Sequence, residues 1–144
     1  MRPPLHAPAM TLLELTVVIS VMLALVSILF IGAKSWKKGS DRAGCVMNIR
    51  NIQHAVRGYQ NVKEYGVGET LSGNDAGKSL LEIINDEGYL SDSLYHIATG
   101  ENPCPGNGTC GCSITDRFPQ IGTLFMNCSL ADSAMHAPQQ YSDW

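Results

Sequence analysis

The chain of 144 residues lacks proline from residue 9 to residue 102, and it lacks charge over a long stretch near its start. Neither a charged residue nor a proline occurs in the nineteen residues from Leu15 to Ala33. A proline would kink or break a helix, and a charge would oppose its entry into a bilayer. Their absence predicts an unbroken apolar helix of about the length that spans a membrane.

The residue patterns of common active sites are also missing. The sequence contains no glycine-rich phosphate loop, no nucleophile–histidine–acid set at a telling spacing and no carboxylate pair placed for acid–base chemistry. The histidines His6, His54, His96 and His136 stand far apart, without a nucleophile at a matching distance. We therefore predict that the chain is not an enzyme and has no catalytic residues.

Charge is divided unevenly along the chain. Residues 1–62 contain seven Lys or Arg and two acidic residues, which gives a net charge of +5. Residues 63–144 contain three Lys or Arg and eleven acidic residues, which gives a net charge of −8. Because an acidic surface repels phosphate backbones, nucleic acid is not an expected partner of the C-terminal part.

One charged residue, Glu14, stands inside the apolar stretch from Met10 to Ala33. Inserting a carboxylate into a bilayer within a helix costs about 2.5–3.5 kcal/mol, so such a residue indicates function and requires a partner. Glu14 lies four residues after Met10, and residues four apart share one face of a helix. We therefore expect the partner of Glu14 to lie at the start of the apolar stretch.

The residues around Glu14 resemble the processing signature of type IV pilins and type II secretion pseudopilins. The run TLLEL at residues 11–15 matches the family at every position, and it follows a short leader that ends in the small residue Ala9. Ala9 stands where glycine is usual, and Met10 stands where phenylalanine is usual. The resemblance extends to about residue 62. It implies cleavage after Ala9 by prepilin peptidase and methylation of the new amine of Met10.

The same resemblance implies the function, the partners and the location. The chain would be a structural subunit of a type II secretion pseudopilus or a type IV pilus-like filament. Its partners would be other pilin-like subunits and an inner-membrane assembly platform. It would cross the bacterial inner membrane once, with its head outside the cytoplasm, and then enter a periplasmic or surface filament. There the amine of Met10 would meet the Glu14 carboxylate of a neighbouring subunit, which makes Glu14 the expected assembly residue.

The expected fold is α+β and pilin-like, with a long N-terminal helix and a small head. We divide the chain into a leader (1–9), a transmembrane or filament-core helix (10–33), an amphipathic stem helix (34–62) and an acidic head that contains cysteines (63–144). Gly32 and Gly39 are the expected weak points of the helix. Apolar residues at helical spacing predict the buried stripe of the stem, which consists of Cys45, Ile49, Ile52, Val56, Tyr59 and Val62.

Within the head, residues 77–86 have the pattern of a short amphipathic helix. Gly88 suits the left-handed position that follows a helix end. Residues 109–115 and 123–129 have the short, alternating or β-branched pattern of strands, and the segment between them contains Pro119 and Gly122. The sequence therefore predicts one short helix and one antiparallel β-hairpin, packed on the stem.

Five cysteines form the second group of candidate residues. Cys45 lies on the stem stripe and is expected to be a small, buried, reduced residue. The other four lie in the last 41 residues, and in an extracytoplasmic head they suggest two disulfides. Cys110 and Cys112 share a face of a predicted strand and are not expected to bond to each other. Their expected partners are Cys104 and Cys128, in either order.

Two alternatives involve a metal, although the primary prediction includes no cofactor. Four thiolates, or three with His136, would suit tetrahedral zinc and would make the chain a single-pass, membrane-anchored zinc module. The spacing C-x5-C-x-C-x15-C differs, however, from the paired C-x2–4-C pattern of zinc knuckles. Calcium in a head loop is the other alternative, with these residues available but no recognisable ligand pattern: Asn74, Asp75, Asp86, Glu87 and Asp92.

Overall fold

The computed structural model describes residues 11–113 and 116–144. The predicted leader and the predicted cleavage site between Ala9 and Met10 lie outside the described residues. The elements, in chain order, are helix α1 (Leu12–Val62), a 3-10 turn (Gly73–Asp75), helix α2 (Leu80–Asp86), helix α3 (Asp92–Ala98), strand β1 (Cys110–Cys112) and strand β2 (Met126–Cys128). This content agrees with the predicted α+β class.

Helix α1 continues through Gly32 and Gly39, the two positions where the sequence had suggested weak points. The chain divides into two compact units, one that ends at Lys37 and one from Lys38 to Trp144. In the first unit every large apolar side chain between Leu12 and Ile31 is exposed, from 45% at Val26 to 82% at Leu12. Among the described residues, α1 is the one helix that is long and apolar enough to cross a membrane.

The second unit contains the hydrophobic core, and the stem part of α1 forms one side of it. Cys45, Ile49, Ile52, Val56 and Tyr59 are at most 1% exposed, which confirms the predicted stripe over these positions. Its last member, Val62, was assigned wrongly, because its side chain is 64% exposed at the end of the helix. The rest of the core comes mainly from α2 and the C-terminal segment, including Leu80, Ile84, Phe118, Phe125 and Met126.

Helix α2 begins later than predicted, with Ser79 at its N-cap position. Gly88 has a φ of 79°, which confirms the left-handed conformation expected after the helix. Helix α3 was not predicted, since a helix of seven residues is too short to establish a periodic pattern. Its flanks nevertheless carry helix signals, with Ser91 at the N-cap and Gly100 at a φ of 82° beyond the C-terminus.

The two strands pair antiparallel, as predicted, but they are only three residues long each. Their register places Cys110 opposite Cys128 and Cys112 opposite Met126. Gln53 of α1 fixes the segment before β2 to the stem. Its side-chain amide donates to the Thr123 carbonyl at 3.1 Å, and its oxygen accepts from the Phe125 N–H at 2.9 Å.

Candidate functional site

The first turn of α1 is closed by reciprocal hydrogen bonds between Thr11 and Glu14. One carboxylate oxygen of Glu14 accepts from the Thr11 N–H at 2.8 Å and from the Thr11 hydroxyl at 3.0 Å. The Glu14 N–H donates in return to the Thr11 hydroxyl oxygen at 3.3 Å. Threonine before a helix and glutamate three residues later form a capping box. The sequence interpretation of Glu14 as a filament contact did not include its hydrogen bonds with Thr11. The T-x-x-E spacing is nevertheless a recognised signal for a capping box.

This capping box gives Glu14 a role in its own helix. The carboxylate pairs with backbone and hydroxyl donors that would otherwise be unsatisfied at the helix start. These donors are neutral, so they leave the charge of the carboxylate without a counter-charge. Glutamine is accepted at this position of a capping box, which allows the cap and the charge to be separated by mutation.

The second candidate site is a group of four cysteine side chains in the Lys38–Trp144 unit. The sulfur atoms of Cys45, Cys104, Cys110 and Cys128 all lie within 4.8 Å of one another, and all four residues are buried. The Cys104 and Cys128 sulfurs are 3.3 Å apart, and those of Cys45 and Cys128 are 3.8 Å apart. All five cysteines of the chain are free thiols in this structure.

The membership of this group differs from the expectation. The sequence predicts that Cys45 is an apolar stem residue separate from the head cysteines, but its sulfur lies among those of three of them. Cys112 lies outside the group, with its sulfur 3.8 Å from the Ala98 carbonyl oxygen of α3. The disulfide pairing of Cys110 and Cys112 with Cys104 and Cys128 stays a prediction, and the register places Cys110 rather than Cys112 opposite Cys128.

A close approach of α1 to the turn after Cys104 brings Cys45 into the group. A Cβ atom added at Gly44 would lie 3.0 Å from Pro105, so glycine allows the turn to touch the helix backbone. The Cys45 thiol donates to the Pro105 carbonyl at 3.3 Å, across 60 positions of sequence. This contact is long-range, and no local pattern in the sequence indicates it.

The turn itself is compact and holds Cys104 in place. The Cys104 N–H donates to the Gly108 carbonyl at 2.8 Å, and the Asn107 N–H donates to the Cys104 carbonyl at 3.0 Å. Gly106 adopts a φ of 86°, which favours glycine. At Gly108 an added Cβ would lie 2.9 Å from the Cys104 sulfur and 2.8 Å from Leu130. Any larger side chain at Gly108 would therefore force Leu130 and the Cys104 sulfur to shift.

The thiols of the group differ in acidity because they share hydrogen bonds. Burial, followed by a hydrogen bond with Cys104, raises the pKa of the Cys45 thiol far above its usual value, and the same two causes raise the pKa of Cys110. Burial also disfavours the Cys104 thiolate, but hydrogen bonds from the other three cysteines and the Gly108 N–H outweigh it and lower the pKa of Cys104. Cys104 is therefore more acidic than Cys45 and Cys110.

The remaining metal candidates are engaged elsewhere or lie apart. Asp75 accepts a hydrogen bond from the Tyr59 hydroxyl at 2.7 Å, and Glu87 pairs with Lys63 at 3.2 Å. His136 is buried and packs against Gly106, but it is not part of the four-sulfur group. Within residues 11–113 and 116–144, the four cysteines are the one set of three or more His, Cys, Asp or Glu side chains placed to hold a metal ion.

Fold and sites together define an α+β protein with one helix long enough to span a membrane and a C-terminal unit that contains a buried group of four thiols. Comparison with models of protein families, with curated proteins and with solved structures finds no match to this chain.

Proposed function

We propose that the chain is a structural subunit of a type II secretion pseudopilus or a type IV pilus-like filament. Prepilin peptidase cuts it after Ala9, and it assembles through α1. The observation that carries the proposal is the apolar half of α1, which has Glu14 in its first turn and exposes its large apolar side chains from Leu12 to Ile31. The head then decorates the filament and has no catalytic task.

The exposed side chains of the apolar half of α1 require an apolar environment. Apolar residues occupy all sides of the helix between Leu12 and Ile31, and such a helix is stable in lipid or inside a bundle of similar helices. A soluble monomer would leave this surface in water. Lipid covers this apolar surface while the subunit is in the membrane, and neighbouring subunits cover it after assembly.

The charge of Glu14 supports assembly rather than anchoring alone. The bonds from Thr11 satisfy the carboxylate as an acceptor, but a lipid-like environment still favours a cation beside it. Cleavage after Ala9 creates such a cation, the amine of Met10. Since an uncut leader keeps the amine nine residues farther away, cleavage makes assembly conditional on processing.

A second candidate function is a single-pass, membrane-anchored metal-binding module, which the four-cysteine group favours. This module would need neither cleavage after Ala9 nor the charge of Glu14. The two candidates therefore make different predictions for the N-terminus and for Glu14 variants.

The decisive experiment compares Glu14→Gln with Glu14→Leu in cells that assemble the filament. Glutamine keeps the capping box and removes the charge, whereas leucine removes both. We expect both variants to enter the membrane at least as well as the wild type and both to lose most filament assembly. Ser20→Ala is the matched control, since the Ser20 hydroxyl donates within its own helix, to the Val17 carbonyl at 2.8 Å. It should assemble normally.

Mass spectrometry of the assembled protein completes the test. We expect an N-terminus at Met10 that carries a methyl group, and we expect Ala9→Lys to block processing because the cleavage site requires a small residue. Wild-type assembly by Glu14→Gln would refute the charge pairing. An intact Met1 in assembled material would refute the filament proposal and favour the anchored module.

A further inference from the structure

We propose that the sulfur atoms of Cys45, Cys104, Cys110 and Cys128 form a structural zinc site that joins the stem part of α1 to the head. This proposal is independent of the filament proposal, because any protein with this C-terminal unit would contain the site. It revises the ligand set considered from sequence, since Cys45 is a ligand and Cys112 is not.

The distances between the sulfurs match a tetrahedral site. Zinc–sulfur bonds of about 2.3 Å in a tetrahedron place neighbouring sulfurs about 3.8 Å apart. The sulfurs of Cys104 and Cys128 are 3.3 Å apart, those of Cys45 and Cys128 are 3.8 Å apart, and no pair in the group exceeds 4.8 Å. Four sulfurs that approach one another mutually surround a common centre, whereas two disulfides would require only two close pairs.

The chemistry of the donors favours a soft or borderline metal such as zinc over a hard cation. All four donors are sulfur, and the group contains no carboxylate or imidazole of the kind that hard cations or open catalytic sites use. The four residues are between 0% and 5% exposed, so solvent has little access to the centre. A closed set of four protein ligands is typical of structural rather than catalytic zinc.

Binding converts the four thiols to thiolates and releases four protons, which leaves the zinc centre with a net charge of −2. The Gly108 backbone lies close to this charge, since a Cβ added at Gly108 would stand 2.9 Å from the Cys104 sulfur. Outer-sphere contacts of this kind orient and stabilise metal ligands. The absence of a side chain at Gly108 keeps its backbone and the sulfur in contact.

The site would connect parts of the chain that are distant in sequence. Cys45 belongs to α1, Cys104 precedes a tight turn, and Cys110 and Cys128 lie opposite each other on β1 and β2. A two-stranded sheet of three residues per strand is marginal without further support. A single ion held by α1, the turn and both strands would provide that support.

The test uses the full-length protein in detergent micelles, purified without chelator and without reductant. Elemental analysis should find about one zinc per chain, as expected for a single four-ligand site. After exchange of zinc for cobalt, the protein should show the strong sulfur-to-cobalt charge-transfer absorption and the visible bands of tetrahedral Co²⁺. Cys45→Ser and Cys110→Ser should each lose most of the metal and of these bands. Cys112→Ser is the matched control and should retain both.

Thiol alkylation of the wild type gives a second readout that needs no folded variant. Cys45, Cys104, Cys110 and Cys128 should become alkylated only after a strong chelator is added, while the reactivity of Cys112 should change least. Two disulfides in peptide maps of the purified protein, four free thiols without metal, or equal metal loss in Cys112→Ser would each overturn the zinc proposal. None of these results would change the expected N-terminus or the Glu14 phenotype, so the two proposals can fail separately.

Discussion

The sulfur of Cys45 on α1 lies 3.8 Å from the sulfur of Cys128 on β2, although 83 positions of sequence separate the two residues. Together with Cys104 and Cys110, they form a buried group of four sulfurs between the stem part of α1 and the β1–β2 pair. The stability of the C-terminal unit should therefore depend on how closely the turn at Pro105 can approach α1.

The close approach at Gly44 can be tested with a pair of glycine substitutions in the same helix. Replacement of a helical glycine by alanine usually stabilises a protein by about 0.5–1 kcal/mol. Gly39→Ala should show this gain, since an added Cβ meets no atom within 4 Å. Gly44→Ala should instead destabilise by about 1–3 kcal/mol through overpacking against Pro105, 3.0 Å away. Denaturant unfolding of the full-length protein measures both, and an equal gain in the two variants would contradict the proposed contact.

Gln53 should be an important polar anchor of the head on the stem. Gln53→Leu removes the acceptor of the Phe125 N–H and the donor to Thr123, and it leaves a buried backbone group unpaired. We expect a loss of about 1–3 kcal/mol in the free energy of unfolding. The exposed neighbour Asn51 offers the control, since Asn51→Ala should change stability by less than about 0.5 kcal/mol. Similar values for both variants would show that the two hydrogen bonds add little.

The hydroxyl of Tyr59 should make stability depend on alkaline pH. Burial, and then the hydrogen bond to Asp75, raise the pKa of Tyr59 above its usual value. The folded state thus keeps the phenolic proton after the unfolded state has lost it. The resulting stabilisation is complete below the unfolded pKa of about 10 and is lost as pH rises through the folded pKa.

Comparison of the wild type with Tyr59→Phe isolates this contribution. The variant should be less stable by about 1 kcal/mol near neutral pH, because it lacks the hydrogen bond to Asp75. Its free energy of unfolding should fall less steeply than that of the wild type above pH of about 10. Parallel curves for the two proteins at alkaline pH would refute the assigned role of Tyr59.

Removal of the apolar half of α1 should separate membrane association from folding. A fragment that begins at Gly39 retains nearly all of the Lys38–Trp144 unit and loses the exposed apolar side chains of the first unit. We expect a soluble monomer with a helical stem and the β1–β2 pair. Analytical ultracentrifugation and circular dichroism test these properties. Recovery of the fragment in the membrane fraction would mean that the apolar half of α1 is not the anchor.

Local patterns sufficed for the helical part of the fold. The absence of charge and proline predicted the apolar half of α1, and the helical spacing from Cys45 to Tyr59 predicted the buried face of the stem. Both are properties of residues close together in sequence, where a period of 3.6 residues directly determines which side chains share a face. The T-x-x-E spacing of Thr11 and Glu14 likewise contained the capping box, because that motif is complete within four residues.

The tertiary structure alone decided which cysteines meet. The spacing of Cys104, Cys110, Cys112 and Cys128 suggested one set of four, but the register of β1 against β2 placed Cys110 opposite Cys128 and Cys112 opposite Met126. The contact of Gly44 with Pro105 then brought Cys45 into the group in place of Cys112. Strand register and the packing of a turn on a distant helix depend on the whole core. They therefore lie beyond what the periodicity of any single segment can determine.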